Sequence, residues 1–170
     1  MNRRSGPLSG NALKIIAAIA MLADHVGLMF FPRVSLFRIV GRLALPIFAY
    51  MIAEGCRYTH NRKKYLLRMA SLAALCQLVY FFAMGSLYQC ILVTFSLSIC
   101  LIYAMDRWQE RRDMVSRILA LGTLVVSFVL CVVLPDFVPG FEIDYGIMGV
   151  LLPVLVAFGI VNNPTDRHSF

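Results

Sequence analysis

Six long apolar runs, separated by short polar turns, make up almost the whole chain. They cover roughly 11–31, 36–57, 64–84, 88–105, 115–134 and 145–162. Each is near the ~20 residues an α-helix needs to span a hydrocarbon core. In lipid a helix satisfies its own backbone polar groups, so helices are what such runs must form. The expected fold is all-α: a polytopic integral membrane bundle of about six transmembrane helices, one domain over 1–170. Ser9 is placed to cap the first helix, and Pro32 marks its exit. Pro46 falls inside the second run, where a missing N–H kinks a helix. Met84-Gly85-Ser86 closes the third.

One polar interruption stands out against this pattern. Asp24 and His25 lie about two-thirds of the way along LSGNALKIIAAIAMLADHVGLMFF, residues 8–31. Ionisable side chains inside a span are costly and usually face a protein or water-filled interior. The pair is therefore the first candidate site. The opening MNRR and the run behind it do not read as a cleaved signal, because the run is too long and no small-residue cleavage site follows.

Composition strengthens the membrane reading. Of 170 residues, 60% are hydrophobic and 15% charged, with mean hydropathy +0.77. A soluble domain of this length cannot hide that much apolar surface. A net charge of +7 would suit a nucleic-acid binder. The basic residues instead stand in short blocks between apolar runs, which is how topology signals look, so membrane lipid and not nucleic acid is the expected partner. Cys56, Cys76, Cys90, Cys100 and Cys131 are dispersed without metal-ligand spacing and read as small buried hydrophobes. Walker-type loops, HExxH, GxSxG and CxxC motifs are missing, so no metal or serine-hydrolase site is expected.

The charge blocks give an orientation. One set of alternate turns collects 13 basic residues: Arg3, Arg4, Lys14, then Arg57, Arg62, Lys63, Lys64 and Arg68, then Arg107, Arg111, Arg112 and Arg117, and finally Arg167. The other set holds three, Arg33, Arg38 and Arg42. With six spans, both termini are expected in the cytoplasm. Eleven residues separate Lys14 from His25, about 16 Å along a helix. If Lys14 snorkels to the inner interface, His25 lies near or slightly past the midplane. Lys14, Ala18, Met21 and His25 share one face, and Asp24 points about 100° away.

Several side chains carry candidate chemistry. Neutral imidazole at His25 can serve as general base or acyl carrier, or be a structural histidine bonded across the bundle. Asp24 either orients it or balances Arg38 and Arg42, which are four apart on one face. Those arginines can also meet Glu142, Asp144 or an anionic substrate group. Glu54 precedes Arg57 and Tyr58 by three and four residues, so a local pair is the simplest account. THNRKKYLLR, residues 59–68, is a basic inner loop suited to anionic lipid or to a phosphate-bearing cofactor. Arg107 to Arg117, interleaved with Asp106, Glu110 and Asp113, reads as a solvated helix end. In DYGIMGV, Asp144 can cap the last helix, Tyr145 can line a site, and Gly146 and Gly149 permit close helix approach.

LSGNALKIIAAIAMLADHVG, FRIVGRLALPIFAYMIAEGCRYTHNRKKYLLRMA and DYGIMGVLL together resemble the TraX family, whose namesake acts in N-terminal acetylation of F-type conjugative pilin. The likeness is continuous over roughly the first 70 residues and returns at 144–152. It also extends to integral-membrane acyltransferases such as heparan-alpha-glucosaminide N-acetyltransferases, in which an early intramembrane histidine is central. The resemblance implies an acetyltransferase taking acetyl-CoA as donor and an amine or hydroxyl of a protein or small molecule as acceptor. By position His25 is that histidine, with Asp24 beside it. By analogy Lys14, Arg62, Lys63, Lys64 and Arg68 meet CoA phosphates, and Arg38, Arg42, Glu54, Asp144 and Tyr145 form a substrate-side or structural charge network. Family members usually continue past the DYG span, whereas this chain closes on VNNPTDRHSF. A short family member, a truncated one, or one that completes its bundle as a homodimer are the corresponding expectations. A proton-coupled carrier using Asp24 and His25, or a non-catalytic membrane partner, are the competing functions.

Overall fold

A computed structural model describes residues 15, 16, 19, 20, 35–85 and 89–161. The expected first span and its Lys14, Asp24 and His25 lie outside the described residues, apart from helical Ile15, Ile16, Ile19 and Ala20. The described architecture is helical throughout: α1 (Ser35–Tyr58), α2 (Arg62–Met84), α3 (Ile91–Arg111), α4 (Met114–Phe137) and α5 (Gly146–Val161). These follow the second to sixth apolar runs. One isolated parallel bridge, Gln89 with Ile143, is the sole extended pairing among the described residues.

The chain divides into two compact units, Met1–Met51 and Ile52–Phe170, with the boundary inside α1. In the first unit, α1 carries Pro46 in its interior and buries Ala44 and Ala49.

In the second unit α3 is central and packs against α2, α4 and α5. Its buried positions are Ile91, Thr94, Phe95, Ser98, Ile99, Leu101, Ile102 and Ala104. That recurrence every three to four residues, doubled in width, is what a helix covered on several sides requires. Local signals bound the helices. Asn61 caps α2 by accepting from the Lys64 N–H at 3.0 Å, and Gly85 ends it in the left-handed conformation (φ 60°) that glycine adopts without strain. Asp113 caps α4 by accepting from the Ser116 N–H at 3.1 Å. Between these elements Arg112 takes the left-handed backbone (φ 50°), so α3 turns into α4 within two residues.

Late in α4, residues Val129–Val133 form a π turn. Pro135 follows, and it cannot donate to the carbonyl of Cys131, four residues earlier. A widened turn moves that carbonyl away from the proline ring, a known way of carrying proline through a helix. Among the described helices, α3 and α4 are long and apolar enough to cross a membrane. Large apolar side chains are exposed along the outer faces of α2 and α4, including Leu75, Phe82, Leu121 and Val125. All five thiols are free, with Cys56 buried.

The two starts of α3 and α5 are knitted together. Gln89 N–H donates to Glu142 at 2.7 Å, and Asp144 N–H donates to Gln89 at 3.0 Å. The Thr94 hydroxyl donates to the Asp144 carbonyl at 2.8 Å, and Ser98 donates to Val150 at 2.9 Å. Gly149 makes this possible, since a Cβ there would meet the Thr94 methyl and the Tyr145 Cβ at 2.8 Å each. The expected close approach at Gly149 is thus observed. α5 opens at Gly146, and Tyr145 and Gly146 both take positive φ. The Asp144 backbone meets Gln89 and Thr94.

Candidate functional site

At the other end of α3, four segments of the second unit enclose a cavity of about 110 Å³. Ala53, Cys56 and Arg57 come from the end of α1, Arg62 from the first turn of α2, Ile102 and Asp106 from α3, and Ala157 and Phe158 from α5. One wall is apolar and the other carries a thiol, two guanidinium groups and a carboxylate.

Arg62 is the hub of the polar wall. Its guanidinium lies 3.4 Å from the Asp106 carboxylate and 3.8 Å from Glu110, and stacks over the Tyr103 ring at 5.3 Å. Tyr103, Asp106 and Glu110 are spaced by three and four residues, so one face of α3 presents all three to α2. The Tyr103 hydroxyl is buried beside the Cys56 thiol and makes no hydrogen bond of good geometry among the described residues. Gly55 lets Tyr65 lie against the end of α1, because a Cβ at Gly55 would stand 2.5 Å from the Tyr65 hydroxyl and 2.9 Å from the ring carbon that bears it. The EG pair in the sequence therefore has a steric reason at its glycine. Arg57 lies 5.9 Å over the neighbouring Tyr58 ring.

The expected residues separate into groups. Arg62 is committed to Asp106 and Glu110. Lys63, Lys64 and Arg68, on the first two turns of α2, are exposed. Glu54 is half-buried near the end of α1, next to the cavity-lining Ala53. Asp144 and Tyr145 lie beside Thr94 and Gly149, twelve residues of α3 from Asp106, or about 18 Å at 1.5 Å per residue. Glu54 and Asp144, grouped together on sequence, thus occupy opposite ends of α3. Arg38 and Arg42 are one turn apart on the first unit's part of α1, and their side chains lie outside the described set, like Lys14, Asp24 and His25.

Asp106, Glu110, Tyr103 and Cys56 did not stand out in the sequence. The block from Arg107 to Met114 is exposed, as a solvated helix end requires, and Asp106 and Glu110 beside it are also turned towards α2. The available signal was the buried column of α3, which continues in register from Ile99 and Ile102 into Tyr103, Asp106 and Glu110.

A volume of about 110 Å³ holds an acetyl-sized group or a few waters, each water taking roughly 30 Å³. It does not hold a nucleotide. A phosphate-bearing donor would have to lie outside the cavity, and exposed Lys63, Lys64 and Arg68 are the side chains nearby in sequence that suit phosphate.

Long apolar helices with bare apolar flanks are the marks of a membrane-protein class. The sequence matches the family described as TraX protein over residues 9–168, and the chain belongs to that family. It is 37% identical over 81 residues to the probable fimbrial assembly protein FimC, serogroup H1, of Dichelobacter nodosus, an alignment covering 45% of this chain and 33% of that protein. It is 47% identical over 38 residues to the uncharacterized protein RP591 of Rickettsia prowazekii (strain Madrid E), covering 22% of this chain and 15% of that one. The chain therefore spans a third or less of the length of these curated relatives. No solved structure matches it.

Proposed function

We propose that the protein is a multi-pass acetyltransferase of the bacterial cytoplasmic membrane, moving acetyl from acetyl-CoA to an amine or hydroxyl on a membrane-bound or exported acceptor. The family match over residues 9–168 carries this reading. The fimbrial-assembly name of the D. nodosus relative favours a pilin-like N-terminus as acceptor. In the transfer, the thioester C–S bond breaks, a C–N or C–O bond forms, and CoA leaves as the thiol. His25 is the base that takes the acceptor's proton or the carrier that briefly holds the acetyl group, with Asp24 or Arg42 tuning it. Lys63, Lys64 and Arg68, exposed on the first two turns of α2, hold the phosphates on the cytoplasmic side. Arg38 and Arg42 carry charge for the substrate side, and Glu54 stands apart from Asp144 and Tyr145 at the opposite end of α3.

Incubating purified protein with labelled acetyl-CoA and an N-terminal pilin-like peptide tests this reading. Transfer by the wild type, lost in His25→Ala and reduced in Lys63→Gln/Lys64→Gln, is the expected result. Undiminished transfer by His25→Ala removes the histidine from the chemistry. Proton-coupled uptake into proteoliposomes, independent of acetyl-CoA, would replace the enzyme with a carrier.

A further inference from the structure

The corner between α3 and α4 plays no part in the proposed transfer, and its charges are arranged differently from what their order in sequence implies. Arg107, Arg111, Arg112 and Arg117 alternate there with Asp106, Glu110 and Asp113, a mixture close to neutral. Folding gives each of the three carboxylates a partner, while Glu110 and Asp113 stay exposed at the corner. Asp106 and Glu110 reach across to Arg62. Asp113 turns onto Ser116, accepting from its N–H and its hydroxyl, and these bonds hold its carboxyl below the usual carboxylate range. Arg107 is close enough to add to that shift in a small way. Arg107, Arg111, Arg112 and Arg117 are all left exposed.

Two further features share this corner. Trp108, the single tryptophan of the chain, is 40% exposed on the last turn of α3. The first turns of α4 expose Met114 (74%), Val115 (64%) and Ile118 (65%). Guanidinium groups recognise phosphate oxygens through paired hydrogen bonds, and tryptophan favours the level of lipid headgroups. A soluble phosphate would engage the arginines and leave the apolar strip bare. A zwitterionic lipid would cover the strip while bringing an ammonium towards the arginines. One molecule with a net negative headgroup and acyl chains matches both halves.

We propose that the α3–α4 corner binds anionic phospholipid, its headgroup held by Arg111, Arg112 and Arg117 and its chains lying along Met114, Val115 and Ile118. This rests on the membrane-embedded reading and not on acetyl transfer. Trp108 supplies the probe. Full-length protein is reconstituted with brominated phosphatidylglycerol or brominated phosphatidylcholine at equal mole fraction. Quenching of Trp108 by the anionic lipid is expected to be roughly twofold stronger or more. The preference vanishes in Arg111→Gln/Arg112→Gln/Arg117→Gln, whose thermal midpoint in phosphatidylcholine alone is the control for folding. If that variant does not fold, the wild type in 1 M salt serves, because a Debye length of about 3 Å erases a headgroup preference at exposed arginines. Equal quenching by both lipids, or a preference that survives neutralisation or salt, overturns the proposal. So does displacement of the preference by soluble glycerol phosphate, which marks a free-anion site. Absence of quenching by either lipid refutes the membrane placement of this corner as well.

Discussion

Near the start of α3, Thr94 and Ser98 donate to the Asp144 and Val150 carbonyls at 2.8 and 2.9 Å; near its end, Asp106 and Glu110 meet Arg62 at 3.4 and 3.8 Å. The first junction is neutral, uses short side chains and is fully buried. The second is ionic, uses long side chains and stays partly open. A hydroxyl reaching a backbone carbonyl brings two helix axes close, and Gly149 removes the last obstacle. The arginine that reaches the carboxylates lines a cavity of about 110 Å³. One end of α3 is therefore closely packed, while the other borders open space.

The comparison predicts unequal responses to substitution. Gly149→Ala should have the largest effect, about 1–3 kcal/mol from overpacking, seen as a lower thermal midpoint in detergent. At the open end, Gly55→Ala meets mainly the far end of Tyr65. It should cost less, and Tyr65→Leu should recover much of the loss in a double-mutant cycle. An equal cost at both glycines would dissolve the contrast. Ser98→Ala should cost about 0.5–1.5 kcal/mol by removing one interhelical hydrogen bond, with Thr94→Val similar. Asp106→Asn should cost less still, about 0.2–1 kcal/mol, because the pair is partly exposed. A larger penalty for Asp106→Asn than for Ser98→Ala, read from denaturation midpoints, would reverse the assignment of roles.

The smallest effect is a pH dependence at the α4 cap. The Asp113 carboxyl is held low by its bonds from Ser116. A depressed carboxyl contributes stability above its unfolded pKa of about 3.9, and loses it as pH falls through the lower folded value. The wild-type midpoint should decline through that acidic range slightly more than that of Asp113→Asn. Identical pH profiles for the two proteins would remove the carboxylate's contribution.

The helices were legible because apolar runs and their breaks coincide. Gly85 ends α2 where Met84-Gly85-Ser86 predicted a stop, and α1 fits its run to within a residue or so. Ends defined by charge were misplaced. The fourth apolar run ends before the first acidic residue, whereas α3 continues to Arg111 as an exposed last turn, with Asp106 and Glu110 facing Arg62. Such pairing joins positions far apart in sequence, which periodicity along one helix does not reveal. The same separation hid Cys56 and Tyr103, ordinary apolar-run residues until α1 and α3 meet. Arg62 was visible as a basic residue, but its commitment to two carboxylates was not.

The π turn at Val129–Val133 has a consequence for chain length. Each residue of an α-helix advances the direction of its side chain by about 100°. The wide turn absorbs one residue beyond the regular count, so the segment after it is rotated by about that amount. Leu134–Phe137 and the loop that delivers Glu142 and Asp144 to Gln89 depend on this offset. Removing any single residue from 129–133 would close the widened turn, set the Pro135 ring against the carbonyl four residues earlier and swing that loop by roughly a quarter of a circle. A stretch with no fully buried side chain is therefore tolerant in composition yet exacting in number, and an alignment gap there would be harder to accommodate than most substitutions.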